Sequence, residues 1–140
     1  MSQDPYNLAR FVQAQESIYS DVRLELRAGR KTSHWMWFIF PQIKGLGHSA
    51  TADLYGISSE GEAEAYLDHP ILGERLIECV KWVNEVQSRT AEQIFGYPDY
   101  MKFHSCLTLF SQVAPDEKIF EEALIKYFDG RLDPLTLGNL

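Results

Sequence analysis

Cysteine is scarce in this chain, and the spacings by which side chains usually hold a metal ion are missing. Only Cys79 and Cys106 occur, and both lie inside apolar, periodic stretches. The cysteines and the four histidines show no CxxC, HxxxH or HExxH spacing. We therefore predict two free thiols, no metal site and no cofactor, in a protein of a reducing cytoplasm.

Basic residues are also few, because 13 lysines and arginines stand against 20 aspartates and glutamates, for a formal net charge of −7. A nucleic acid or an anionic membrane surface is bound through a basic face. We therefore predict that the protein binds neither, although a small basic pocket for an anionic ligand is compatible with this charge. The longest apolar run, residues 35–40, has six residues, whereas a membrane helix needs ~20. The first residues also lack the basic flank and apolar run of a signal peptide.

Strand-like alternation is absent beyond a few residues, and helix signals fill the chain instead. Apolar residues recur at helical spacing, most clearly between Leu72 and Val86. Capping residues, prolines and glycines separate these stretches. They predict helix starts near Asp4, Ser17, Ser33, Ser49, Ser59, His69, Thr90, Asp99, Pro115 and Asp133, with capping boxes at Ser59–Glu62 and Thr90–Gln93. We predict one all-α, multihelical domain over residues 4–137.

The most apolar segment is KTSHWMWFIFPQ, residues 31–42. Ser33 is suited to cap a short helix, and Pro41 forbids the continuation of that helix. In a helical arrangement apolar side chains cover every side, which is typical of a helix in the middle of a fold. We predict a short, buried central helix that carries Trp35 and Trp37, with both indoles largely buried. A buried strand is the alternative, because the run is too short for periodicity to decide.

The two tryptophans of this segment allow two interpretations. Trp35 and Trp37 either fill the core or line a site, since an indole N–H needs a partner when it is buried. His34 and Gln42 flank the run and need hydrogen bonds if they are buried with it. A polar rim around aromatic faces is typical of a small-molecule site. The satisfied edge of an ordinary core has the same composition.

Charged residues are missing from FHSCLTLFSQVAP, residues 103–115. A surface helix normally carries charges on its polar side, so we predict that neighbours cover this helix. Its hydroxyl groups, such as that of Ser105, then bond back to the preceding turn or face water or a ligand. Lys102 offers a positive charge beside this polar side. Asp99 is the nearest acid, either as a helix cap or as a group for acid–base chemistry.

A glycine-containing loop, residues 44–49, precedes a predicted helix start. Free N–H groups at such a start are able to hold a phosphate. The loop is a weaker candidate for an anion site, because two glycines before a helix are common turn chemistry. It lacks the Gly-Lys-Ser/Thr ending of a P-loop, so ATP hydrolysis is not predicted.

Six motifs lie along nearly the whole chain. They are Lys31-x-Ser33 through Gln42, Gly45-Leu46-Gly47-x-Ser49, His69-Pro70-x-Leu72-Gly73, Ile94-Phe95-Gly96, Lys102-Phe103-x-Ser105-x-x-Thr108-Leu109-Phe110 and Phe128-x-Gly130-x-x-Asp133. Together they resemble the motifs of a bacterial family of proteins of unknown function, DUF1810. The resemblance implies a multihelical fold with a short buried central helix, and it implies no established activity, substrate or catalytic residue. Some members carry the label calpastatin, but calpastatin-like inhibitors are disordered repeats and this chain has no repeat.

Two hypotheses for function follow. In the first, the protein binds or processes a nucleotide-like or N-ribosyl small molecule in a cleft beside the central helix. Residues 11–15, FVQAQ, are similar to the aromatic-Gln-Ala segment of helical N-glycosidases that act on riboflavin intermediates and ADP-ribose. In the second, it is a non-catalytic module that binds a metabolite or a protein partner, because no paired carboxylates, triad or metal cluster are readable from the sequence.

One cleft is predicted to serve either function and to take a small anionic ligand. Its expected lining is Lys31, His34, Trp37, Gln42, Lys102 and Ser105. Asp99 and His34 are the candidates for a catalytic role, and the sequence leaves open whether the protein is an enzyme.

Overall fold

The computed structural model describes residues 4–140, and the part of the chain that it describes is helical without a strand. One isolated bridge joins Ile43 and Ile57. The prediction of an all-α, multihelical domain is confirmed. No helix within residues 4–140 is long and apolar enough to cross a membrane. The helices are α1 (Ala9–Glu16), α2 (Tyr19–Arg27), α3 (Met36–Ile39), α4 (Ala50–Tyr55), α5 (Glu60–Asp68), α6 (Leu72–Asn84), α7 (Ala91–Phe95), α8 (Asp99–Val113), α9 (Lys118–Phe128) and α10 (Pro134–Gly138).

Helix α8 lies in the middle of the fold. It packs against α5, α7, α9 and α10, while α6 packs against α2, α5 and α9. Because neighbours surround α8, every residue from Ser105 to Phe110 is buried. The prediction that the charge-free stretch is a covered helix is therefore confirmed.

The central segment forms a single helical turn, α3, and not a strand. Trp35, which precedes the turn, is 0% exposed, and Phe40, which follows it, is 1% exposed. The Phe40 ring meets the rings of Phe95 and Phe103 edge to face, at centroid distances of 5.7 and 5.0 Å. These contacts join α3 to α7 and α8. Trp37 differs from the expectation for the tryptophans, because it is only half-buried.

The start of α3 also differs from the prediction, because Ser33 does not cap it. The N-cap position is Trp35, without a side-chain hydrogen bond to the helix. The Ser33 hydroxyl instead donates to Glu25 on α2, at 2.6 Å. The Ser33 side chain therefore makes a tertiary contact with α2 instead of a local capping bond to α3.

Glu25 anchors the whole segment that leads into α3. Its carboxylate accepts backbone N–H groups from Thr32 and Ser33 at 2.7 and 2.9 Å, and the indole N–H of Trp35 at 3.0 Å. Burial raises the pKa of Glu25, but these bonds and that from the Ser33 hydroxyl outweigh burial and lower the pKa to about 2. Sequence analysis missed this residue, because an acid on an exposed-looking helix carries no local signal of such a role.

Replacement of Glu25 by Gln is expected to lower the free energy of unfolding by about 2 kcal/mol at neutral pH, since hydrogen bonds to a charged group contribute ~1.5–3 kcal/mol. The pKa is lower in the folded state than the ordinary 4.5. The contribution is therefore full above pH ~4.5 and is lost as the pH falls toward 2. Denaturant unfolding across this pH range measures it. Exposed Glu64 is the control, and an equal effect of Glu64→Gln would contradict the assignment.

Three predicted caps are confirmed. The Ser49 hydroxyl accepts the Ala52 N–H, and the Asp133 carboxylate accepts the Thr136 N–H. Both bonds of the Thr90 capping box are present. Capping chemistry is local, so these helix starts could be predicted from sequence alone.

Differences from the prediction occur at two further helix starts and at one capping box. Helix α1 begins at Ala9 instead of beside Pro5, because the Asp4 carboxylate reaches forward to the N–H groups of Leu8 and Ala9. Helix α9 begins at Lys118, after a turn that follows Pro115. At α5 the Ser59 hydroxyl caps as predicted, but the Glu62 carboxylate binds Ser58 and Arg10 in place of the Ser59 N–H.

Both cysteines are buried and carry free thiols. Burial raises the pKa of Cys106 well above its ordinary value and that of Cys79 to about 12. Because the thiolate is the reactive form, we expect almost no reaction of the native protein with a thiol reagent. Denaturation without reductant should release two reactive thiols. Fewer than two would contradict this expectation.

Candidate functional site

A cleft of about 260 Å³ lies between the segment that carries α3 and the first half of α8. Four of the six predicted ligand residues line it: Trp37, Gln42, Lys102 and Ser105. These four residues, which were predicted to share one cleft, come from two distant parts of the chain. The other lining residues are Leu46, Gly47, Tyr97, Pro98, Met101, His104, Asp133 and Leu135.

Gln42 is the most unusual residue of the cleft. It is 7% exposed, yet its side-chain amide makes no hydrogen bond with any residue from 4 to 140. Only its backbone carbonyl is used, by the Ile57 N–H at 2.9 Å. The amide is not sealed off, because within residues 4–140 only Oδ1 of Asn84 is a fully buried side-chain atom without a partner. The Gln42 amide is therefore a donor and an acceptor that face the open cleft.

Lys102 supplies positive charge to the cleft. Its ammonium lies 4.2 Å from the centroid of the Trp37 ring and 3.1 Å from Oδ1 of Asp99. The other carboxylate oxygen of Asp99 is 2.8 Å from the Lys31 ammonium. One negative charge thus lies between two positive charges. The group keeps a surplus of one positive charge, which Lys102 carries to the cleft.

Lys31 was predicted in the cleft, and the structure places it behind the cleft. Its side chain is 7% exposed, is not one of the residues that line the cleft within residues 4–140, and acts on the cleft through Asp99. The ammonium also donates to the Ser33 carbonyl at 2.6 Å and lies 5.1 Å from the Trp35 ring centroid. Burial against this aromatic segment explains why Lys31 serves as a support.

The two candidates for a catalytic role lie apart from the cleft lining. His34 is exposed, and neither it nor Asp99 lines the cleft within residues 4–140. Burial raises the pKa of Asp99, but hydrogen bonds and positive charge from Lys31 and Lys102 outweigh it, so that the pKa lies below its ordinary value. A carboxylate held ionised between two ammonium groups is a poor general acid and a weak base. Asp99 therefore acts as a support for Lys102.

The polar side of α8 mainly holds the C-terminal segment. The His104 ring nitrogen Nε2 lies 2.7 Å from the Arg131 carbonyl, and the Thr108 hydroxyl accepts the Asp133 N–H at 2.9 Å. Ser105 and Thr108 also donate to carbonyls of the preceding turn. The Ser105 and Thr108 hydroxyls thus bond back to the preceding turn, as one of the two interpretations has it, and Ser105 additionally lines the cleft.

Asp133 and the apolar rim were missed as parts of the cleft. Asp133 was predicted only as the cap of α10. Tyr97, Met101 and Leu135 are exposed at its mouth, Tyr97 to 73%. Scattered exposed apolar side chains are common on protein surfaces, so no sequence signal marks these three residues.

The loop at residues 44–49 contributes Leu46 and Gly47 to the cleft wall. A Cβ at Gly47 would lie 3.2 Å from the tip of the Trp37 indole and 2.8 Å from the Ala52 Cβ. Glycine therefore allows the loop to pass directly against the indole. The hydroxyl of Ser49 is used to cap the six-residue α4. The predicted anion site on this loop stays a prediction.

The FVQAQ segment lies in α1 and contributes to the core, not to the cleft. Gln15 is 1% exposed, and its amide donates to the Phe38 carbonyl and the Tyr66 hydroxyl and accepts from Arg75. A wider groove of about 700 Å³ runs beside α1. Among the titratable residues that line this groove, Asp4 and His69 accept backbone N–H groups at helix starts, and Asp68 is exposed.

Fold and cleft together define a class: an all-helical protein with a small polar cleft beside a central aromatic turn. The chain matches, over residues 5–140, the family described as protein of unknown function (DUF1810), and it belongs to that family. The resemblance drawn from its motifs is therefore confirmed. The structure is similar to the crystal structure of the conserved hypothetical protein Rv1873 from Mycobacterium tuberculosis, with a TM-score of 0.97, 52% identity and 98% of each chain covered. No match was found among proteins with curated descriptions.

Proposed function

We propose that this protein binds a nucleotide-like small molecule in the cleft between α3 and α8. The observation that carries the proposal is the amide of Gln42, which lines the cleft with the Trp37 indole and Lys102 and makes no hydrogen bond within residues 4–140, although the residue is only 7% exposed. A ligand with a planar ring, a polar ring edge and an anionic group matches these three features.

The aromatic side chains of the cleft favour a ligand with a planar ring. Trp37 is half-buried in the cleft wall and Tyr97 lies at the cleft mouth. Stacking of a base on an aromatic side chain contributes ~1–3 kcal/mol and does not depend strongly on the base. The Gln42 amide then selects a ring edge that offers both a donor and an acceptor.

Charge and size support a mononucleotide rather than a larger cofactor. Lys102 carries the surplus positive charge of its group and suits a phosphate or carboxylate. The cleft volume of about 260 Å³ lies below the roughly 300–1,000 Å³ typical of sites for drug-sized ligands. A dinucleotide would extend far outside it.

Binding without chemistry is the function that the geometry supports best. Asp99 is held ionised by two lysines, and His104 uses Nε2 on the Arg131 carbonyl. The Asp133 carboxylate caps α10 and accepts from Ser105. The titratable groups nearest to the cleft thus already have structural partners.

The test is a thermal-shift screen of nucleoside monophosphates and nucleosides, followed by isothermal titration calorimetry. A ligand that binds only the native state raises the melting temperature. We expect Lys102→Ala to weaken nucleotide binding about tenfold, equivalent to ~1.4 kcal/mol. Its melting temperature should barely change, because Asp99 keeps its bond to Lys31.

Lys31→Ala is the matched control. It removes the buried partner of Asp99 and should lower the melting temperature by several degrees, since breaking a buried ion pair destabilises strongly. The absence of binding by every nucleotide would refute the proposal. A loss of stability in Lys102→Ala as large as in Lys31→Ala would make Lys102 part of the scaffold. Chromatography of the incubated nucleotides would reveal hydrolysis and replace a binding module by an enzyme.

A further inference from the structure

We infer that Asp133 makes the cleft selective for a ring edge in which N–H donors lie beside an acceptor, as in guanine. This inference rests on the proposed function, because it specifies the ligand of the same cleft. It is carried by the unequal use of the two Asp133 carboxylate oxygens.

Every hydrogen bond to the Asp133 side chain goes to Oδ2. That oxygen accepts from the hydroxyls of Ser105 and Thr136 at 2.9 and 2.6 Å, and from the Thr136 N–H at 3.3 Å. Oδ1 accepts no hydrogen bond from any residue between 4 and 140. Three donors on one oxygen fix the orientation of the carboxylate. An acceptor with a defined position therefore remains in a residue that lines the cleft.

The Gln42 amide supplies the other half of the recognition. It brings a donor and an acceptor, whereas Oδ1 of Asp133 is only an acceptor at neutral pH. Together, the two side chains are complementary to a ligand edge that carries one acceptor and several donors. The guanine edge has this pattern, with O6 as acceptor and N1–H and the 2-amino group as donors.

Other bases fit this pattern less well. Hypoxanthine lacks the 2-amino donor, and xanthine has an oxygen in its place that would face the Asp133 carboxylate. The N1 atom of adenine is an acceptor and would meet Oδ1 in the same unfavourable way. An unpaired or opposed polar group in a binding site costs more than a missing apolar contact.

The experiment compares the binding of guanosine, inosine, xanthosine and adenosine monophosphates to the full chain by isothermal titration calorimetry. We expect the guanine nucleotide to bind at least tenfold more tightly than the xanthine nucleotide, with the hypoxanthine nucleotide between them. Equal binding of the guanine and xanthine nucleotides overturns the inference and leaves the proposed function intact. Absence of binding by all four overturns the inference, and absence of binding by every nucleotide of the thermal-shift screen overturns the proposed function as well.

Asp133→Asn gives a second, independent readout. The amide oxygen has to face the three donors, so the NH₂ group takes the place of Oδ1 and turns an acceptor into a donor. Asparagine is also a good N-cap, and α10 should stay in place. We expect the variant to prefer the xanthine nucleotide about tenfold. An equal loss of affinity for both nucleotides would mean that Asp133 only supports the fold. If the variant does not fold, the ratio of guanine to xanthine nucleotide affinity in the wild-type protein decides whether the inference holds.

Discussion

Replacement of Trp35 by Ala should lower the free energy of unfolding by about 3–5 kcal/mol, the usual cost of truncating a buried tryptophan. Trp35 is 0% exposed, and its indole N–H is one of the groups that bind Glu25. The substitution therefore leaves a cavity in the centre of the fold and removes a donor from the half-buried Glu25 carboxylate. Small domains have a total stability of roughly 5–15 kcal/mol, so the variant should unfold at much lower denaturant concentration.

Trp37→Ala is the matched control, because it removes the same type of side chain two residues further along the chain. Trp37 is half-buried and lines the cleft, so the loss of stability should be clearly smaller. Ligand binding should be weakened by this substitution, since the stacking surface is gone. If both variants lose the same stability, the division between a core tryptophan and a cleft tryptophan is wrong.

The two buried glutamines should respond in opposite ways to replacement by Leu. Gln15→Leu leaves the Phe38 carbonyl, the Tyr66 hydroxyl and the Arg75 guanidinium without a partner. Unsatisfied groups cost ~1–3 kcal/mol each, and we expect a loss of about 3 kcal/mol. Gln42→Leu removes an amide that has no partner within residues 4–140. Its stability should be unchanged or raised by up to ~1 kcal/mol.

Denaturant unfolding of both variants, together with calorimetric titration of a bound nucleotide, measures the contrast. Gln42→Leu should keep its stability and lose binding, which is the pattern of a residue kept for a ligand at a cost in stability. A destabilisation by Gln42→Leu similar to that of Gln15→Leu would show that the amide is satisfied in solution. The case for the cleft would then lose its main support.

Local sequence signals predicted the helices well where the chemistry is local. The capping box at Thr90–Gln93 and the start of α8 near Asp99 needed only neighbouring residues. The signals failed where a distant side chain competes for the cap. At Ser33 the competitor is Glu25, and at Glu62 it is the Arg10 guanidinium. The energy of one hydrogen bond, ~1 kcal/mol, is small enough for tertiary contacts to override it.

The cleft was predicted in part, for a physical reason. Trp37, Gln42, Lys102 and Ser105 belong to two segments that have few charges in an otherwise charged chain. A low content of charged residues predicts that both segments are buried. Because both are expected in the interior, composition alone favours contact between them. Lys31 and His34 were predicted in the cleft lining and lie outside it, because sequence spacing does not say which side chains of a segment face the cleft.

The sequence by itself determined the helical class, the buried aromatic turn, the free thiols and the residue types that meet beside α3. These follow from periodicity, capping and the absence of charge, all of which act over a few residues. Only the tertiary structure decided that Gln15 is satisfied while Gln42 is not, and that Asp133 keeps one carboxylate oxygen free. Those outcomes depend on which groups from distant helices come within ~3 Å of one another, a distance that no local pattern encodes.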